Sequence, residues 1–277
     1  IIEYGAIQDP MFDPERRISQ LNNNKENKME KTKIDKFIQK YNLAGNVDSV
    51  KWKTADNKIS TSFVTPDKSL LGDVEVKNVN FENTELGIYT TNQLQKMLGV
   101  LGDKVEVSTK KIGDRAISLT IKNGNISIDY VLSDLSVIPE PPKLKKLPEF
   151  ETKIKINNNF INTFIKGKAA LSEVDNFTIL NDNSVVKVVI GYASTNTNRV
   201  NIPVEYTENG LDKPISFNAN LFKEVLVANK DCKSAVLEVS NEGLAKVNFK
   251  VDDFDSTYYI VAMSEVWMNI KKVSNIP

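Results

Sequence analysis

The sequence predicts an α+β fold built twice over, each half packing two amphipathic helices on an antiparallel sheet. Three observations lead there. The helical stretch "TTNQLQKML", Thr90 to Leu98, has a close counterpart in "NANLFKEVL", which begins at Asn218. Runs of alternating or β-branched residues follow the helices in the same order in both halves. A proline-rich stretch, "IPEPPKLKKLPEF" from Ile138 to Phe150, lies between them, and proline keeps it out of helices and central strands. A chain of 277 residues is long enough to bury two cores.

Residues 1–28 show no sustained periodicity and end in an Asn/Lys-rich run, so they read as an arm, with Met29 as the expected start of the first domain. From there Ile34, Phe37, Ile38 and Tyr41 repeat at helical spacing, and Gly45 stops a helix over 33–44. "VDSVKWKT", "KISTSFVT" and "GDVEVKNVNF" read as strands, parted by turn residues Asp56, Asn57, Pro66 and Gly72. The next helix has Thr90 to Asn92 as capping residues and Leu94, Met97, Leu98 and Leu101 on one face. "KVEVSTKK", "AISLTIKN" and "ISIDYVLS" close the half, the last two joined by an Asn-Gly turn at Asn123 and Gly124.

Beyond the connector the order returns. Phe160, Ile161, Phe164 and Ile165 mark a third helix; "NFTILN", "VVKVVIGYA" and "RVNIPVEY" follow as strands. The fourth helix starts near Asn218 with Leu221, Phe222, Val225 and Leu226 as its apolar face, and "SAVLEVS", "LAKVNFKV" and "STYYIVAMS" complete the set. Residues correspond as well. Phe37 and Tyr41 match Phe160 and Phe164, "VDSV" at Val47 matches "VDNF" at Val174, and Tyr89 opens a stretch matching that at Phe217, at separations of 123, 127 and 128 residues. Small loop insertions in a duplicated domain produce that drift. The expected domains are 29–138 and 150–266, linked by 139–149, with a tail over 267–277.

Composition removes several function classes. There is no histidine, and the lone Cys232 has no disulfide partner, so histidine bases and Cys/His metal sets are excluded. No phosphate-binding, dinucleotide-binding, nucleophile-elbow or dithiol motif occurs, and acidic pairs such as Asp252/Asp253 fall in turn contexts. The reading is therefore of a protein that is not an enzyme and needs no cofactor or metal. Apolar runs are far shorter than the roughly 20 residues a membrane span needs; a cytoplasmic protein without membrane attachment is expected.

Charge balances at 36 basic against 36 acidic residues, and arginine is confined to Arg16, Arg17, Arg115 and Arg199. Bidentate base readout favours arginine, so sequence-specific DNA recognition is not expected. The lysines are placed with more pattern. At 100° per residue, Lys33, Lys36 and Lys40 lie opposite the apolar side of the first helix, and Lys96, Lys166, Lys223 and Lys230 fall away from that of the other three. Four helices with lysine-bearing faces in a neutral chain point to a polyanion-facing surface.

The order of elements, the duplicated halves, the proline-rich link and the stretches 176–193 and 214–263 resemble the DNA polymerase sliding clamps, especially the trimeric processivity clamps of T-even-type tailed phages. The likeness covers about residues 29–266. It implies a ring of six such domains from three chains, helices lining the hole and sheets outside, so that the recurring helix faces the same duplex at every repeat. The resemblance further implies that the seven lysines named above face DNA, contacting phosphates loosely and without regard to sequence. Subunits would join through edge strands, here Ile126, Ile128 and Tyr130 of one chain with Val200, Ile202 and Val204 of the next; Pro203 suits an edge. A partner-peptide pocket would involve Leu70, Leu71, Leu144, Leu147 and Met263. Implied partners are double-stranded DNA, the replicative polymerase and an ATP-dependent clamp loader. Two alternatives share the sequence features: a monomeric or dimeric processivity subunit without a ring, and a two-domain β-rich virion structural protein. Oligomer mass and salt-sensitive association with primed DNA discriminate them.

Overall fold

A computed structural model describes residues 27–263 except 145, 194 and 196; the expected tail and nearly all of the expected arm lie outside the described residues. In the first half, β1 (Asn27–Glu30) leads into α1 (Lys31–Asn42), β2 (Val50–Ala55), β3 (Lys58–Val64), β4 (Leu70–Val76), β5 (Thr84–Ile88), α2 (Thr91–Leu98), β6 (Lys104–Ile112), β7 (Arg115–Asn123) and β8 (Ile126–Val131). A short 3-10 turn, Leu135–Val137, precedes the connector. The second half repeats the order with β9 (Thr152–Asn157), α3 (Asn158–Ala170), β10 (Asn176–Asp182), β11 (Val185–Ile190), β12 (Val200–Pro203), β13 (Tyr206–Asn209), β14 (Ile215–Asn218), α4 (Ala219–Ala228), β15 (Ser234–Val239), β16 (Leu244–Val251) and β17 (Phe254–Val261). The fold is α+β, with four helices and antiparallel sheets as expected.

Several details differ from the sequence reading. Strands β1, β5, β9 and β14 went unread because each has four to six residues and runs directly or nearly so into a helix, where period-2 alternation has no room to register. Asn27 and Lys28, read as the end of the arm, belong to β1 together with Met29 and Glu30. The first helix begins two residues earlier than read and ends at Asn42, where Leu43 turns left-handed at φ 48°. "GDVEVKNVNF" is strand only to Val76, and "RVNIPVEY" breaks after Pro203 into β12 and β13.

Local chemistry repeats as faithfully as topology. The β2–β3 turn has Asp56 and Asn57 at φ 53° and 58°, and the β10–β11 turn has Asn183 and Ser184 at 51° and 67°. Two successive left-handed residues match the twist of a two-residue hairpin, and Asp and Asn tolerate that conformation. Ahead of each second helix an aspartate carbonyl receives its first amide: Thr91 N donates to Asp48 O, and Ala219 N to Asp175 O, both at 2.8 Å.

Three sheets result, in the orders β1-β6-β7-β8, β12-β11-β10-β14 and β13-β9-β15-β16-β17-β4-β3-β2-β5. The nine-stranded sheet crosses between halves where β17 pairs antiparallel with β4, from Phe254 opposite Val76 to Ile260 opposite Leu70. On the sheets the helices form one row: α2 packs on α1, α1 on α4, and α4 on α3. Aromatic rings fill the space between the layers. Tyr41, Trp52 and Phe63 of the first half continue into Tyr258 of the second, Phe63 and Tyr258 meeting edge-on at 6.2 Å. Phe164, Phe177, Phe217 and Phe222 form the second half's own cluster.

Candidate nucleic-acid interface

The row of four helices carries the lysines, and it treats them unequally. Lys96 on α2, Lys166 on α3 and Lys230 just past α4 are exposed, and none makes an ion pair among the described residues. Lys36 is half-exposed, with Asp231 at 3.9 Å and Asp252 at 4.0 Å. Lys223 is held by its neighbour Glu224 at 2.6 Å. Exposed pairs of this kind contribute only about 0–1 kcal/mol, so Lys36 and Lys223 remain free to turn toward an anion.

Lys33 and Lys40 are engaged elsewhere. Lys33 donates to Asp253 at 2.6 Å and to the carbonyls of Lys77 and Asn78 at 3.2 Å, tying α1 to the tip of the β16–β17 hairpin. Lys40 is 3% exposed, which corrects its placement on the water-facing side of the first helix. Its ammonium donates to Ala228 O at 3.0 Å and Asn229 Oδ1 at 2.6 Å and sits 5.3 Å from the centroid of the Phe254 ring. A wheel drawn for one helix cannot show that α4 of the other half covers this flank. Burial, and secondarily the charge of Lys36, lowers the Lys40 pKa to about 8 against the opposing pull of Cys232, Asp231 and Asp252.

On the sheet side the connector spans a groove of about 610 Å³ between Pro139–Leu144 and strands β2, β3, β4 and β17. Lys51 Nζ anchors the strap to Glu140 at 2.5 Å, and that hydrogen bond, with the lysine charge, lowers the Glu140 pKa. Leu71 and Leu144 line the groove with Tyr259 as their aromatic neighbour, while the Phe63 ring points the other way, into the cluster with Tyr41 and Tyr258. Leu70 does not: successive strand residues face opposite ways, and Leu70 is fully buried on the helix side. Leu147 and Met263 lie outside the groove lining, Met263 N instead bonding Ser216 O at 2.8 Å. Tyr259 and the lysines Lys51, Lys53 and Lys143 were not singled out from sequence: Tyr259 reaches the groove only through the pairing of β17 with β4, and the lysines come together only once the connector lies over β2.

Strands β8 and β12 are sheet edges, each paired on one side only among the described residues. Pro203 ends β12 opposite Lys187 with its other side open. Ile128, Tyr130 and Ile202 point into their own half's core, so these positions present backbone rather than side chain outward. Val200 and Val204 are partly buried against the core. Ile126 is 50% exposed.

Two helices on an antiparallel sheet, repeated within one chain and fused through a shared sheet, define a sliding-clamp fold. Solved structures of the PCNA type share it. Proliferating cellular nuclear antigen from Entamoeba histolytica aligns with a TM-score of 0.66 at 16% identity, over 86% of this chain and 98% of that one. A. fulgidus PCNA, solved with the C-terminal region of FEN-1, aligns with a TM-score of 0.68 at 13% identity, over 87% and 98%. No protein-family model and no curated protein matches the sequence. Among the described residues no His/Cys/Asp/Glu group is placed to hold a metal ion, and no helix is long and apolar enough to cross a membrane.

Proposed function

We propose that the chain is a DNA sliding clamp: three copies join head to tail around duplex DNA and tether the replicative polymerase to its template. The observation that carries this reading is the relation between the sheets. The shared sheet runs β9-β15-β16-β17-β4-β3-β2-β5 once β13 is set aside; the other two, read end to end as β1-β6-β7-β8 and β12-β11-β10-β14, have the equivalent strands in the same order. One junction is made inside the chain, and its equivalent is left for another copy. A head-to-tail contact of this kind generates a ring when its rotation closes. Three copies of a two-unit chain, as in the T-even-type clamps it resembles, give six units and twelve helices around the hole.

Each copy contributes clamp domains 29–138 and 150–266, the first extended to Asn27 to take in β1, joined by connector 139–149. Lys96, Lys166 and Lys230 are the leading DNA contacts, with Lys36 and Lys223 in support. Their work is electrostatic: topology retains the DNA, and mobile ammonium groups exchange among phosphates spaced about 1.7 Å along the axis. The groove under the connector takes a partner's peptide, a reading supported in general terms by A. fulgidus PCNA having the C-terminal region of FEN-1 bound to it. Ring opening falls to an ATP-dependent loader, since the chain has no nucleotide motif. The protein itself performs no catalysis and works in the cytoplasm, that of the host for a phage protein.

Replacing Lys96, Lys166 and Lys230 by Glu is expected to abolish stimulation of a DNA polymerase on primed circular DNA while oligomer mass is kept. Unchanged primer extension by the triple variant refutes the DNA-facing assignment. A monomer in light scattering at micromolar concentration refutes the ring.

A further inference from the structure

Resting on the ring reading, we propose that a second copy of this chain docks its β12 on β8 in one register, with Ile128 opposite Ile202, and that this seam is apolar where the chain's internal junction adds lysine contacts to its ladder and aromatic chain. The internal junction supplies the register. At a separation of 128 residues Tyr130 matches Tyr258, and the hairpin pairs bear this out: Asn123 and Ile126 flank the tip of β7–β8 as Val251 and Phe254 flank that of β16–β17. On the other side, Val74 pairs with Thr61 and Ile202 with the equivalent Val188. Ser256 lies opposite Val74 and Thr257 opposite Asp73 in the internal junction. Translated to the seam, Ile128 meets Ile202 and Asp129 meets Asn201.

The side chains around the two junctions differ in kind. Internally, Lys36 and Lys40 of α1 face Asp231, Asn229 and the Asp252–Asp253 tip. By the match of Phe37 to Phe160, the seam has Asn159 and Thr163 in place of those lysines; the tip becomes Gly124–Asn125, and Asn229 becomes Leu101. No equivalent of the lysine latch remains. What the seam has instead is uncovered apolar surface. Phe254 is 5% exposed beneath α1, but its equivalent Ile126 is 50% exposed; Val100, the equivalent of Ala228, is 61% exposed. Ile126 and Val100 are where the neighbour's α3 would lie if α1's packing on its own chain were repeated.

An apolar, backbone-paired seam resists salt, whereas lysine–phosphate contacts do not. Oligomer mass is expected to hold as the screening length falls from about 10 Å to about 3 Å between roughly 0.1 M and 1 M salt. The register is tested by disulfide trapping with Asp129→Cys and Asn201→Cys in one chain; both sites are exposed, and Cys232 is buried. Oxidation should link copies into a covalent ring at least tenfold faster than in an Asp129→Cys, Arg199→Cys control. Faster linking in the control overturns the register while leaving the ring intact, and an oligomer that links in neither overturns the seam. A protein that stays monomeric before oxidation refutes the ring reading itself. Ile126→Lys gives a second measure: association weakened tenfold or more with the monomer's melting unchanged. Undiminished association overturns the apolar seam.

Discussion

Lys40 holds a charge between α1 and α4 with no carboxylate in hydrogen-bond range among the described residues, two of its three donors answered by a helix-end carbonyl and an amide oxygen and the ammonium lying over the Phe254 ring. Unfolded, this lysine titrates near 10.5; folded, at about 8. Between those values the unfolded chain binds the extra proton, so the cost of burying the charge is present below pH 8 and is relieved as pH rises toward 10.5. Measured by urea unfolding, the stability of the wild type relative to Lys40→Met should therefore rise by about 3 kcal/mol across that window. A difference independent of pH would refute this account of Lys40. A second residue is constrained by shape alone. A Cβ at Gly87 would stand 2.4 Å from Ser133 O, and Ser133 cannot withdraw without losing its 2.9 Å bond from N to Gly87 O. Gly87→Ala is expected to cost about 1–3 kcal/mol, as overpacking typically does, read as a lowered urea midpoint. Neither residue announces itself in the sequence: Lys40 sits at an ordinary helical position, and Gly87 lies within a strand too short to read.

The equivalent helices α2 and α4 are started differently. Asn218 caps α4 through its own side chain, accepting from Asn220 N and Leu221 N at 3.0 Å. Thr90 makes no such bond, and Asp48 reaches over from the loop between α1 and β2 to accept from Asn92 N at 2.8 Å. Asn218→Ala is thus expected to lower stability by about 1 kcal/mol and Asp48→Ala by a comparable amount, with Thr90→Ala close to neutral. Equal losses for Thr90→Ala and Asn218→Ala in denaturant unfolding would contradict the structure. Both helices were legible because an apolar stripe at 3.6-residue spacing is a local signal. The capping group of α2 was not, since Asp48 is more than forty residues from the amide it serves. For the same reason the lysine stripe could be read on each helix separately, while the loss of Lys40 from it depended on a helix nearly two hundred residues away.

Across the whole molecule, the join between halves combines a strand ladder, an aromatic chain and the Lys33–Asp253–Asn78 clasp. Asp253→Ala should leave the ladder in place but fray its end. Amide exchange near Val76 and Phe254 is expected to speed up while that of β6 and β7 stays unchanged; uniform protection would show the clasp to be dispensable. The groove under the connector belongs to this scale too, since β17 reaches Leu71 only through the join. The sequence by itself determined the four helices, the longer repeated strands and their order, the connector and lysines on every helix, because each is written in spacings of a few residues. Tertiary structure alone decided that two half-sheets fuse through β17 and β4, which lysines stay free, and which strand edges remain open. Those outcomes depend on surfaces meeting across a hundred residues or more, where packing of complementary faces, and not local periodicity, selects the partner.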